Sequence, residues 1–169
     1  YYLATGTSFA APLVSGLASL LWSRYPDLNR GEVKRMIIHN ARDVDFPGID
    51  RNTGYGLIDV QATLEADRNF FIDAAITSVG VVQEGGNQYV QVVGRVDSDQ
   101  LESAAVELGA GEQPTSFEAV SNAIDQPTDG VLANIEASRL AGMKQAVLRV
   151  VARHKNGRIR EARFTLNLG

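Results

Sequence analysis

The sequence predicts a helical amino-terminal segment followed by an all-β sandwich, and three observations predict it. Apolar residues up to about residue 66 recur at helical spacing. From about residue 70 they alternate with polar residues, as on half-buried strands. Short Gly- and Asn-containing turns punctuate this second part, and the strongest is Lys155-Asn156-Gly157.

Taken in order, the first helix is expected from about Ser8 to Arg24. The residues from Phe9 to Trp22 are nearly all apolar or small, so this helix is apolar on every side and belongs in an interior. Gly16 and Ser15 are poor choices for an isolated helix, and with Ala10, Ala11 and Ala18 they imply close packing by a sheet or a second helix. Tyr25-Pro26-Asp27 ends the helix, because the residue before a proline avoids helical angles. Asn29 caps a second helix with Glu32 in a capping box, and Leu28 and Val33 take the positions of a hydrophobic staple. Val33, Met36, Ile37 and Ala41 mark its apolar face, and it ends near Asn40 to Arg42. A polar loop, Asp43 to Gly54, leads to a short third helix capped by Asp59.

The strands follow. Ile72, Ala74 and Ile76 alternate, Glu84-Gly85-Gly86-Asn87 turns, and Val90, Val92, Gly94 and Val96 alternate back. Ala104, Val106 and Leu108 suggest a third strand, with weaker ones at residues 117–120 and 131–137. Leu148, Val150 and Ala152, then Ala162, Phe164, Leu166 and Leu168, flank the Asn156-Gly157 turn. About seven short strands suggest an immunoglobulin-like β-sandwich, without the Trp and Cys pair of antibody domains. The expected domains are residues 1–68 and 69–169. Arg149, Arg153, Arg158, Arg160 and Arg163 all fall on the final hairpin. They read either as a face for an acidic partner or as solvated strand faces and cross-strand charge pairs.

Composition narrows function. The 169 residues suggest one or two domains, and 44% hydrophobic content is ordinary for a globular protein. The net charge of -4, from 16 basic and 20 acidic residues, gives no footprint for nucleic acid. There is no cysteine, which excludes disulfides, thiolate nucleophiles and Cys-based zinc sites. The run from Phe9 to Trp22 is too short for a membrane span, is interrupted by Pro12 and Gly16, and lacks the charged flank of a signal peptide. The opening Tyr1-Tyr2-Leu3, without a start methionine, reads as part of something longer.

Chemistry concentrates at Ser8. It stands where an interior helix surfaces, and free N–H groups and the positive end of the helix dipole favour a negative charge developing beside its oxygen. Serine is also a good helix cap, so this pattern alone does not separate a nucleophile from a cap. The full string Gly6-Thr7-Ser8-Phe9-Ala10-Ala11-Pro12, with Val14 and Gly16 after it, resembles the nucleophile motif of the subtilisin-like serine peptidases. Phe9 stands where Met is usual and Leu13 where His is common; the nucleophile position is kept. Gly54-Tyr55-Gly56-Leu57-Ile58-Asp59, with Ala62 downstream, resembles the segment that precedes the family's last helix. The resemblance spans residues 1 to about 67.

It implies the carboxyl-terminal, helical portion of an α/β subtilisin-like catalytic domain, with Ser8 as catalytic nucleophile. Gly6, Thr7 and Ser8 would serve the oxyanion and position the substrate. Gly6 would admit a backbone conformation closed to other residues and let a substrate carbonyl come close. The substrate would be a peptide or protein. The family's Asp, His and oxyanion Asn lie upstream of the nucleophile, so the amino-terminal portion of the same peptidase is an expected partner and this chain alone is expected to be inactive. Neither His39 nor His154 lies where the family places its base, and both read as surface or packing residues. No metal ligand is assigned; some members bind calcium, so calcium is admissible in the full protein, with Asp43, Asp45 and Asp50 as the acidic residues of the loop. Secretion is the family's usual fate. The reading from a different class is a non-catalytic β-sandwich interaction module attached to an incomplete or degenerate peptidase fragment.

Overall fold

A computed structural model describes residues 6–50 and 52–169. The expected start of the first domain at residue 1 lies outside the described residues. Among them the chain forms three α-helices and then seven strands.

Helix α1 spans Thr7–Arg24, one residue earlier than expected, and Tyr25 closes it before Pro26. The Trp22 indole N–H donates to the Leu28 carbonyl at 2.8 Å and ties this end to the next helix. Helix α2, Arg30–His39, begins in the expected capping box. Asn29 Oδ1 accepts from the N–H groups of Gly31 and Glu32 at 2.8 and 3.1 Å, and Glu32 Oε2 accepts from Asn29 N–H at 2.8 Å. Leu17 and Leu21 of α1 meet Leu28, Val33, Met36 and Ile37 in a small core. Helix α3, Val60–Glu65, starts with Asp59 Oδ1 accepting from Ala62 N–H at 2.8 Å.

Between α2 and α3 the chain doubles back. Arg42 and Leu57 exchange backbone hydrogen bonds of 2.8 and 2.9 Å. Gly56, at φ +103°, makes this approach feasible, since a Cβ there would stand 2.2 Å from the Arg42 carbonyl oxygen.

The strands are β1 (Ile72–Glu84), β2 (Asn87–Ser98), β3 (Leu101–Ala110), β4 (Glu118–Ala119), β5 (Thr128–Glu136), β6 (Gln145–His154) and β7 (Ile159–Asn167). They form two antiparallel sheets of order β1-β2-β5 and β4-β3-β6-β7. Glu84 pairs with Asn87 across Gly85-Gly86, as the turn chemistry requires. Most of the alternating residues read from the sequence are buried between the sheets, but Phe164 and Leu168 of the last run are exposed, and Leu168 lies beyond β7. Ile72, Ala74, Val92, Val96 and Ile135 from one sheet pack with Ala104, Val106, Leu148, Val150 and Ala152 from the other in one core.

Candidate active site

Ser8 is the second residue of α1 and is exposed. It is not the cap. Gly6 holds that position, and among the described residues no side-chain cap bond closes the helix start. Among the described residues the first-turn N–H groups therefore have no capping side chain, and the positive end of the helix stands beside the Ser8 hydroxyl. Pro12 lies four residues on and has no N–H, so the Ser8 carbonyl is denied the usual helical donor.

One expectation is corrected here. Gly6 has φ 162° and ψ 151°, extended backbone that any residue adopts. A Cβ on Gly6 would meet nothing closer than the Phe9 ring, at 3.6 Å. The glycine leaves the approach to Ser8 open, and conformational freedom is not what the position demands.

The face of α1 beyond this site is bare. Phe9 is 61%, Leu13 65% and Leu20 50% exposed. Nothing lies within 4 Å of a Cβ built on Gly16, so the close packing expected of the small residues is not made within the described residues.

Neither histidine is hydrogen-bonded to Ser8 among the described residues. His39 Nδ1–H donates to the Ile72 carbonyl at 2.8 Å, and its ring lies edge-on to Tyr55 and Phe71. Burial holds its pKa below the ordinary histidine value, with Arg160 and Arg35 adding to the effect. His154 is buried, and its Nδ1 accepts from Asn156 N–H at 3.0 Å. The proton must then sit on Nε2, which donates to Asp99 Oδ1 at 3.0 Å. That His–Asp pair joins residues far apart in sequence and packs against the Phe70 ring rather than any nucleophile. Sequence reasoning missed it; a lone histidine at a strand end was its only trace.

The loop carboxylates are engaged locally. Asp50 accepts from Asn52 N–H, Thr53 N–H and the Thr53 hydroxyl, which hold its pKa below the usual carboxylate range. Asp43 accepts from Gly48 N–H and Asp45 from the Asn52 amide. Among the described residues no group of three or more acidic or histidine side chains is arranged to hold a metal ion.

The arginines of the last hairpin separate by partner. Arg149 bonds Glu107 at 2.6 Å, reaches Glu161 at 3.4 Å and lies 3.8 Å over the Phe117 ring, while Arg163 bonds Glu161 at 2.7 Å. The two Arg149 pairs cross from β6 to β3 and β7, as one of the two readings of these arginines expects, whereas Arg163 and Glu161 lie two residues apart on β7. Arg158 and Arg160 instead reach the helical segment.

No helix among the described residues is long and apolar enough to cross a membrane. Residues 1–56 match the Subtilase family. The chain is 34% identical over 65 residues to the autotransporter lipoprotein NalP of Neisseria meningitidis, which covers 38% of this chain and 6% of that protein. It is 40% identical over 62 residues to mycosin-5 of Mycobacterium tuberculosis, covering 37% of this chain and 10% of the relative. It is 31% identical over 80 residues to an extracellular serine protease of Serratia marcescens, covering 47% of this chain and 7% of that protein. The chain thus spans a small fraction of the length of each. No solved structure matches it. Residues 1–56 thus resemble part of the Subtilase family, and a two-sheet β-sandwich follows them in the chain.

Proposed function

We propose that Ser8 is the nucleophile of a subtilisin-type serine endopeptidase acting on peptide or protein substrates. The observation that carries this reading is an exposed serine on the uncapped first turn of a helix whose apolar face is left bare. Ser8 Oγ would attack the scissile carbonyl carbon and pass its proton to a histidine, which returns it to the leaving amine. The Ser8 N–H, with Gly6 and Thr7 lining the approach, would meet the oxyanion. The histidine and its orienting aspartate would come from polypeptide of the same peptidase outside residues 1–169, which also covers Phe9, Leu13 and Leu20. Exposed apolar surface of this kind marks an interaction face.

In this reading residues 1–68 are the end of the catalytic domain and residues 69–169 an immunoglobulin-like sandwich. The sheet order β1-β2-β5 facing β4-β3-β6-β7 supports that topology. Two relatives are named as an autotransporter and an extracellular protease, which supports a secreted location.

The test is a fluorophosphonate probe on the complete protein. Labelling of the Ser8 peptide is expected, with labelling and peptide hydrolysis both falling by several orders of magnitude in Ser8→Ala. A folded complete protein that takes no label at Ser8 overturns the reading.

A further inference from the structure

The contact between the helical segment and the sandwich is built from buried polar groups as well as apolar surface. Arg160, at the start of β7, is only 6% exposed. Its guanidinium donates to the carbonyls of Ile38 and His39, at 3.3 and 3.5 Å. These belong to the last turn of α2, where carbonyls have no intrahelical donor and the helix dipole favours a cation. Beside it, Arg158 Nη1 donates to Asn40 Oδ1 at 2.5 Å, while Asn40 Nδ2 donates to the Met36 carbonyl at 2.8 Å.

The backbones meet as well. Gly48, in the loop after α2, has φ +97°, and a Cβ there would lie 2.3 Å from the Glu161 carbonyl oxygen. Tyr55 and Phe70 lie under Arg160 and Arg158, at 5.9 and 4.7 Å. α2 is also held by His39 donating to the Ile72 carbonyl and by Arg35 donating to the Arg68 carbonyl at 3.2 Å.

A guanidinium buried to this degree is costly unless its N–H groups are satisfied. The acceptors for Arg160 lie in the other region. On the sandwich alone that side chain would lose them, and α2 alone would lose its carboxyl-terminal cap.

We infer that the β6–β7 hairpin is a clasp on the carboxyl-terminal end of α2 and the loop of residues 43–56, making the sandwich an intramolecular brace of the peptidase segment rather than a freely tethered module. This stands apart from the role of Ser8, because nothing in it depends on catalysis.

Hydrogen exchange on the whole protein carrying residues 1–169 tests it. Arg160→Ala is expected to speed exchange across residues 36–56 by at least about tenfold while leaving the core of β3 and β6 unchanged. Gly48→Ala should open the same stretch without removing a charge. Arg160→Lys should fall between, since an ammonium lacks the guanidinium fork. Arg153→Ala, an exposed position on β6, should change nothing in residues 36–56. Should Arg160→Ala not fold, Gly48→Ala and Arg160→Lys decide on the same readout. Unchanged exchange in residues 36–56, or equal loss of protection throughout β3 and β6, overturns the clasp.

Discussion

Leu148, Val150 and Ala152 on β6 are sealed from solvent, whereas Phe9, Leu13 and Leu20 on α1 stand half exposed or more. Both sets are apolar and both follow the periodicity of their element. The sandwich closes its core with side chains from its own two sheets. In the helical segment only one side of α1 is covered, through Leu17 and Leu21 against α2. An apolar pattern states that a face will be buried; it does not state that the covering surface lies in the same stretch of chain.

The largest effect that sharpens this contrast is a truncation in each region. Leu148→Ala should destabilise the sandwich by about 3 kcal/mol, from lost burial and the cavity left behind. Leu13→Ala should cost residues 1–169 no more than about 0.5 kcal/mol, as an exposed position does. Urea unfolding of both variants provides the measurement. Equal losses would mean that α1 is already fully packed.

A smaller effect is expected at the helix start that the segment does complete for itself. Asn29→Ala removes the acceptor for Gly31 and Glu32 and should cost about 1 kcal/mol. Trp22, hydrogen-bonded to the neighbouring Leu28, provides the fluorescence signal for this region.

The smallest effect is pH-dependent and lies at the joint between the regions. His39 has a pKa lowered in the folded state by burial, with Arg160 and Arg35 beside it and Asp73 and the Ile72 carbonyl acting in the opposite direction. The unfolded chain therefore binds this proton more readily. Stability should fall as pH drops below the unfolded histidine value of about 6.5, and this contribution levels off below the folded pKa. His39→Asn, which keeps an N–H donor toward Ile72, should flatten that slope in acid titrations followed by circular dichroism. An unchanged slope would place the pH dependence elsewhere.

Much of the fold was legible before any coordinates. The Asn29–Glu32 box, the Asp59 cap, the Gly85-Gly86 turn and the alternation along β2, β3 and β6 are local signals, each written within a few residues. Ser8 was singled out for the same reason, as a helix-start serine inside an ordered motif. The conformational freedom expected of Gly6 is not used, because its backbone is ordinary and extended, while Gly16 faces open space among the described residues, on a helix whose apolar face they leave uncovered.

Residue order along the chain thus settled the identity of each element and which of its faces is apolar, because helix and strand periods, caps and turns depend on near neighbours. It could not settle which arginine on the last hairpin pairs across the sheet and which caps α2, nor that His154 would find Asp99. Those partners are separated by long stretches of chain, and they meet only once sheet register and the docking of α2 set their distances. A long polar side chain has many acceptors within reach of its sequence neighbours, and burial at one place in the folded chain selects among them.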